Sequence, residues 1–264
     1  MWAIDCHESP SERCHCALHG RLYRQRRAPR PRTGARAGAA PDRVGAASLH
    51  LHSTTARDRS SCWIINASSR SLRPGSLSGR TVLVAGGAGA VGHAAIQLAR
   101  WAGARVITTV SGPVKEELAR NAGADHVINY RTQDAATEVR ALAPGGVDLV
   151  VEVAPAVNAA LNTAVIAPNG TIAIYSTDGG DELTLPIRAH MVTNTRVQFV
   201  LVYTVDPHAK AQAVVDVRAA VADGALTVGE PAGLPVHRFQ LDRTADARAA
   251  VEAGAVGKVL IDVG

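Results

Sequence analysis

The segment from Arg80 to Arg100, RTVLVAGGAGAVGHAAIQLAR, constrains this chain more than any other. Its first part, Thr81 to Ala85, is a short apolar run with β-branched residues, which predicts a buried strand that ends in a tight turn. After the glycines, apolar residues recur at spacings of three and four, which predicts a helix with one buried face. The sequence therefore predicts a strand, a glycine turn and a helix in direct succession.

Within this turn, residues 87–92 (GAGAVG) match the pattern G-x-G-x-x-G that is typical of dinucleotide-binding sites. Glycines at these places permit a sharp turn, a close approach of backbone to a pyrophosphate, and close packing of helix on strand. The first N–H groups of such a helix have no partner within it and point at the phosphates. A purely structural glycine turn is the alternative, but the strand before it and the helix after it favour a dinucleotide site.

Strands and helices continue to alternate after this unit. The predicted strands are Thr81 to Ala85, Arg105 to Val110, His126 to Asn129, Val147 to Val153, Thr171 to Tyr175 and Arg196 to Val202. The helices predicted between and after them are Val114 to Ala122, Ala135 to Ala143, Asn158 to Ile166 and Pro207 to Asp223. Six strands in alternation with helices predict an α/β fold, a doubly wound parallel Rossmann sheet covered on both faces.

Two further segments flank this predicted domain of residues 76–225. Residues 226–264 have a strand from Pro235 to Phe239, a helix from Thr244 to Ala253 and a strand from Lys258 to Val263, which need not join the same sheet. Residues 1–75 are rich in arginine and have no sustained apolar period, so we expect them to be irregular and disordered.

Charge and cysteine are unevenly distributed along the 264 residues. The net charge of +5 arises from +9 in residues 1–80 and −4 in residues 81–264. An arginine-rich segment attracts RNA, but a solvated basic tail is the interpretation we favour over a nucleic-acid partner. All four cysteines precede residue 81, so the remainder suits a reduced, cytoplasmic protein without cysteine-ligated zinc. No apolar run is long enough to cross a membrane.

The end of the second predicted strand indicates which dinucleotide is bound. NAD-selective sites place an Asp or Glu there to accept the ribose 2′-hydroxyl, but residues 108–112 read TTVSG, without a carboxylate. Lys115 follows, and its ammonium would pair with the 2′-phosphate of NADPH, with Ser111 beside it. The alternatives are a solvated lysine next to Glu116 and Glu117, and a serine that only begins the helix. We predict NADPH as the cofactor.

In these and later motifs the chain resembles the zinc-free quinone oxidoreductases of the medium-chain dehydrogenase/reductase superfamily, which are similar to the zeta-crystallins. The resemblance runs from about Leu72 to Gly264 through VLVAGGAGAVGHAAIQLAR, GVDLVVEVA, NGTIAIYS and GAVGKVLIDV, in that order. It implies hydride transfer from NADPH to quinones or other conjugated carbonyls by a homodimer joined at its sheet edges. Short-chain dehydrogenases are disfavoured, because none of the four tyrosines has a lysine four residues later.

The motif and the resemblance together predict a set of cofactor-binding residues. The set is Gly86, Gly89, Ala90, Val91, Gly92, Ser111, Lys115, Tyr130, Ser176, Val202 and Tyr203. Tyr130 is alternatively an aromatic residue that caps the sheet edge. Tyr175, before Ser176, stands where many relatives have glycine, and its side chain would narrow the cofactor groove. No catalytic residue and no metal ligand is assigned, because the cofactor carries the hydride chemistry.

The resemblance departs from the family at the front of the chain. Relatives begin with a β-rich catalytic lobe that covers the nicotinamide, and residues 1–75 have neither its length nor its alternating strands. The hypothesis is a truncated or mis-started chain in which residues 226–264, a remnant of that lobe, expose Val236, Phe239, Val259 and Ile261. The alternative function is therefore a catalytically incompetent NADPH-binding fragment or sensor module.

Overall fold

A computed structural model describes residues 4–8, 14–18, 72 and 74–263 of the chain. The strands are β1 Ile4–Glu8, β2 Cys14–Leu18, β3 Thr81–Ala85, β4 Arg105–Val110, β5 His126–Asn129, β6 Val147–Glu152, β7 Ile166–Ile174, β8 Arg196–Phe199, β9 Val236–Gln240 and β10 Lys258–Asp262. The helices are α1 Ala90–Trp101, α2 Pro113–Asn121, α3 Ala135–Leu142, α4 Pro155–Val165, α5 Ile187–Thr193, α6 Pro207–Ala222 and α7 Thr244–Glu252.

Six of these strands form a parallel sheet in the order β5-β4-β3-β6-β7-β8. The strand order reverses between β3 and β6, and in such sheets a crevice opens outside the carboxyl ends of the strands at that point. The predicted doubly wound α/β fold is confirmed. None of the described helices has the length and apolar character needed to span a bilayer.

The central strands alternate their side chains between two buried cores. Val82 and Val84 of β3 belong to one cluster, which includes Ile96 and Leu98 of α1. Leu83, between them, belongs to a second cluster on the opposite face, where α3 and α4 pack. Because both faces are covered, β3 reads as a continuous apolar run rather than an alternating one. The sequence predicts β3 correctly because this apolar run is continuous.

Two strands differ from their predicted bounds by three residues or more, because of their pairing partners. β7 begins at Ile166, directly after α4, because Ile166 pairs with Val147. The pairing is then irregular and resumes with Leu149 and Thr171. β8 ends at Phe199 rather than Val202, because β7 ends at Ile174 and offers no further ladder. Only the N–H group of Val200 still reaches the Ile174 carbonyl, at 2.8 Å.

The C-terminal unit forms a separate sheet, in which β9 and β10 pair in parallel. The sequence correctly predicts these strands, but the expected exposure of apolar surface is wrong for Ile261, which is only 5% exposed. Val236, Phe239 and Val259 are half-buried. The reason is α7, which connects the two strands and packs against both, as the crossover helix of a parallel pair does.

The N-terminal segment contains one antiparallel strand pair, β1 with β2. The sequence did not predict these two strands, because backbone pairing requires no apolar period. The other residues of 1–70 lie outside the described part of the chain. Leu72 is buried, and its N–H group donates to Oδ2 of Asp216 in α6 at 2.7 Å.

Gln97 links α1 to the segment that follows α6, and it also contacts a buried histidine, His93. The side-chain oxygen of Gln97 accepts the Thr227 N–H at 2.9 Å, so its amide nitrogen faces Nδ1 of His93 at 3.0 Å. His93 Nδ1 is therefore an acceptor, and the imidazole is neutral with its proton on Nε2. Burial lowers the pKa of His93 below its usual 6.5, although the nearby backbone of Ala232 opposes the shift.

We predict that this histidine makes the protein sensitive to acid. Because the pKa of His93 is lower in the folded than in the unfolded state, the unfolded state binds more protons as the pH falls below about 6.5, and stability is lost. The His93→Asn variant removes the titrating group. Urea unfolding at pH 7.5 and 5.5 should show a larger loss for the wild type than for the variant. Equal losses in the two proteins would contradict the prediction.

Candidate dinucleotide-binding site

The glycine turn lies at the carboxyl end of β3 and leads directly into α1. Gly86 has a φ of +71°, and the Gly89 N–H donates to the Gly86 carbonyl at 3.0 Å. Gly89 is the N-cap of α1, and the first helical turn has neither a side-chain cap nor an acidic residue. The N–H groups of Ala90, Val91 and Gly92 therefore have no partner within the helix, and the positive end of the helix dipole lies behind them.

The glycines of the motif have different physical roles. A Cβ at Gly87 would lie 2.8 Å from Ile96 Cδ1 and still closer to the Thr108 hydroxyl. A Cβ at Gly92 would lie 2.9 Å from Gly87 Cα and would overlap the Gly86 carbonyl oxygen. Gly89 is exposed, and a Cβ there would meet only that carbonyl, at 3.4 Å. Gly87 and Gly92 thus permit close packing, whereas Gly89 keeps the helix N-terminus accessible.

The end of β4 presents a cation without an acidic partner. Lys115 Nζ donates to Ser111 Oγ at 3.0 Å across one turn of α2. No ion pair of Lys115 is found within residues 74–263. The neighbouring Glu116 instead accepts a hydrogen bond from Asn129 at 3.0 Å and pairs with Arg120 at 3.6 Å. The ammonium of Lys115 is thus available to an anion.

Tyr130 lies across the sheet from Ser111. Asn129 pairs with Val110 in the sheet, and the Tyr130 N–H donates to the Val110 carbonyl at 3.1 Å. Tyr130 and Ser111 are thus the next residues on neighbouring strands, about 5 Å apart by strand spacing. The Tyr130 side chain is 54% exposed. The structure brings the three residues predicted for the 2′-phosphate to one corner of the sheet.

The remaining predicted residues form a second group at the ends of β7 and β8, two or more strands from β3. Ser176 is buried, and its hydroxyl donates to Oδ1 of Asp178 at 3.0 Å. Val202 is buried, whereas Tyr203 is 44% exposed. About 10 Å separates β7 from β3 by strand spacing, so these residues do not contact the glycine turn directly.

Tyr175 occupies the end of β7 immediately before Ser176. Its side chain is 7% exposed and belongs to the same buried cluster as Val200 and Val202. Burial raises the pKa of the Tyr175 hydroxyl far above its usual value, and the nearby carboxylates of Glu152 and Asp178 add to the shift. The hydroxyl therefore stays neutral at any physiological pH.

Two residues of this corner were missed by sequence reasoning, namely Asn129 and Glu116. Asn129 is 8% exposed, although the apolar run His126–Asn129 in which it lies is typical of a buried strand. A polar residue that closes such a run was the available signal. Glu116 was considered only as a competitor for Lys115, because the sequence does not show where its carboxylate points.

Part of the chain matches a known protein family. Residues 90–219 match the family described as zinc-binding dehydrogenase. Among the residues that the structure describes, no group of three or more His, Cys, Asp or Glu side chains is arranged to hold a metal ion.

Individual relatives are reductases and dehydrogenases. A 2-haloacrylate reductase from a Burkholderia species is 48% identical over 75 residues, which is 28% of this chain and 22% of that enzyme. The structure of mycobacterial Rv1454c complexed with NADPH is 26% identical, with a TM-score of 0.65, over 80% of this chain and 66% of that one. An NAD-dependent alcohol dehydrogenase is 29% identical, with a TM-score of 0.64, over 78% and 56%. The chain thus matches less than two thirds of the length of these relatives.

We predict that Gly92→Ala disrupts both packing and cofactor binding. The new methyl group would overlap backbone atoms of the glycine turn, which cannot move as a side chain can. We expect a loss of about 1–3 kcal/mol in the free energy of unfolding and weaker binding of NADPH and NADH alike. Gly112→Ala is the matched control, since nothing lies within 4 Å of a Cβ there. Urea unfolding and calorimetry measure both effects, and equal behaviour of the two variants would refute the prediction.

Proposed function

We propose that this chain, whose matches support a place in the medium-chain dehydrogenase/reductase superfamily, carries the NADPH site of an oxidoreductase that reduces quinones or other conjugated carbonyls. The observation that carries the proposal is the contact between Lys115 and Ser111 at a strand end without a carboxylate. It lies beside a helix N-terminus that has no side-chain cap.

The two anion-binding elements match the two phosphate groups of NADPH. The N–H groups of Ala90, Val91 and Gly92 would hold the pyrophosphate, as helix N-termini do in other dinucleotide sites. Ser111, Lys115 and Tyr130 would hold the 2′-phosphate, which makes a charge-assisted hydrogen bond with an ammonium group. The 2′-hydroxyl of NADH would find no carboxylate at the same place, so the corner favours NADPH.

The second group of residues would meet the other half of the cofactor. Ser176 and the backbone around Val202 and Tyr203 are proposed to contact the nicotinamide half. When bound, NADPH supplies the hydride, and the residues of the chain bind and orient the dinucleotide. The similarity to a 2-haloacrylate reductase supports an electron-poor alkene as an acceptor beside quinones. The lack of cysteine in residues 81–264 supports a reduced compartment, and we propose the cytoplasm.

A homodimer is the proposed assembly. Within the described residues, β8 pairs with β7 alone, so its other edge is open. Phe199 at the end of β8 is 70% exposed, and Met191 and Val192 of the adjacent α5 are 70% and 73% exposed. Apolar surface beside an open strand edge is suited to a second copy of the same edge.

The cofactor assignment predicts a measurable preference. Calorimetry should show at least about tenfold tighter binding of NADPH than of NADH, and Lys115→Ala should remove about 1.4 kcal/mol from NADPH binding alone. Arg248→Ala, which deletes an exposed charge of α7, is the control and should bind both as the wild type does. A wild type that prefers NADH, or binds neither cofactor, would overturn the assignment.

Turnover distinguishes the proposed enzyme from the alternative of an incompetent NADPH-binding module. We expect NADPH oxidation in the presence of a small quinone or 2-chloroacrylate, followed by absorbance at the nicotinamide band. Tight NADPH binding without any hydride transfer across a panel of such acceptors would support the alternative instead.

The dimer is tested at its edge strand. We expect Phe199→Asp to be monomeric in sedimentation velocity at a concentration where the wild type is dimeric, because a buried unpaired carboxylate opposes association. Val157→Asp changes a similarly exposed residue of α4 and serves as a control. A monomeric wild type would contradict the proposal.

A further inference from the structure

We propose that Asn129 is a positioning residue that sets the preference for NADPH by fastening the Tyr130 segment to α2. The inference rests on the proposed function, because it concerns the same 2′-phosphate corner. It extends that function by assigning a task to two residues, Asn129 and Glu116, that do not themselves hold the phosphate.

Both halves of the Asn129 amide are used. Its Nδ2 donates to Glu116 Oε1 at 3.0 Å, and its Oδ1 accepts the Arg131 N–H at 3.1 Å. A carboxylate only accepts and a backbone N–H only donates, so these two partners fix the orientation of the amide. The side chain is 8% exposed, which limits competition by water. A third bond, from the Asn129 N–H to Gln133 Oε1 at 2.9 Å, closes the loop behind Tyr130.

The hydrogen bond between Asn129 and Glu116 joins the two segments that carry Tyr130 and Lys115. Glu116 follows Lys115 on α2, and Tyr130 follows Asn129 at the end of β5. A bond between Glu116 and Asn129 therefore fixes the distance between the backbones that carry Lys115 and Tyr130. Without this bond, the Lys115 ammonium and the Tyr130 hydroxyl would be positioned relative to each other only when the phosphate binds. The conformational entropy lost in that step lowers the affinity.

The charge of Glu116 makes the inference testable. A carboxylate near a phosphate site repels the ligand, so removal of that charge alone should strengthen NADPH binding. Its two oxygens are instead engaged by Asn129 and Arg120, and not by Lys115. Glu116 would thus weaken NADPH binding by its charge and strengthen it by its hydrogen bond to Asn129. Removal of the charge and removal of the hydrogen bond should therefore change NADPH affinity in opposite directions.

The experiment compares Glu116→Gln with Glu116→Ala by calorimetry with NADPH, NADH and adenosine 2′,5′-bisphosphate. Glutamine keeps the acceptor oxygen and loses the charge, so we expect NADPH to bind as tightly as to the wild type or more tightly. Alanine loses both, so we expect NADPH and the bisphosphate to bind about 3- to 10-fold more weakly than to Glu116→Gln, a change typical of one neutral hydrogen bond. NADH should bind both variants equally.

Asn129→Ala supplies the complementary measurement. We expect it to lose NADPH affinity about tenfold while NADH affinity stays within about twofold, because NADH makes no use of the corner. A purely structural role would weaken both cofactors equally or lower only the melting temperature. If Asn129→Ala does not fold, the comparison of Glu116→Gln with Glu116→Ala still tests the inference. The Glu116 side chain is 25% exposed and tolerates substitution.

Equal NADPH affinity of Glu116→Gln and Glu116→Ala would overturn the inference, as would a parallel loss of NADPH and NADH in Asn129→Ala. A wild type without preference for NADPH contradicts the proposed function instead, and it is measured first.

Discussion

The close approach of α1 to the glycine turn is the constraint on which the rest of the structure depends. Gly92 packs against Gly86 and Gly87 at distances that no side chain would allow, and Gly87 packs against Thr108 of β4. This contact aims the helix N-terminus at the carboxyl edge of the sheet. The same contact brings Ile96 and Leu98 into the core above β3. Site and core therefore share one packing requirement.

Electrostatics give this edge its selectivity for anions. Backbone N–H groups at α1 and the ammonium of Lys115 at α2 supply positive charge at two separate places. The acidic residue that follows Lys115, Glu116, is held by Asn129 and Arg120 rather than by the lysine. Because Asn129 and Arg120 fix the direction of the Glu116 carboxylate, this carboxylate does not neutralise the positive charge of Lys115.

The sequence predicts the bounds of a strand correctly where its apolar run is uninterrupted. It does not predict them where pairing with a neighbouring strand sets the bound. The bounds of β4 and β5 agree with the prediction because glycine or polar residues lie within two positions of both ends of each strand. The short helix α5 was not predicted, because its apolar residues are exposed and form no buried face. The start of β7 was missed because a strand that follows a helix without a linker has no boundary signal. The burial of Ile261 depends on α7, whose docking is a tertiary event.

The sequence by itself determined the alternation of strands and helices, the glycine turn and the absence of an acid at the end of β4, because each is a property of residues close together in the chain. Only the tertiary structure decided that Tyr130 lies beside Ser111, that Glu116 turns toward Asn129, and that Gln97 joins Thr227. These contacts join residues between 13 and 130 positions apart. Their geometry follows from strand order and helix docking, which no local pattern specifies.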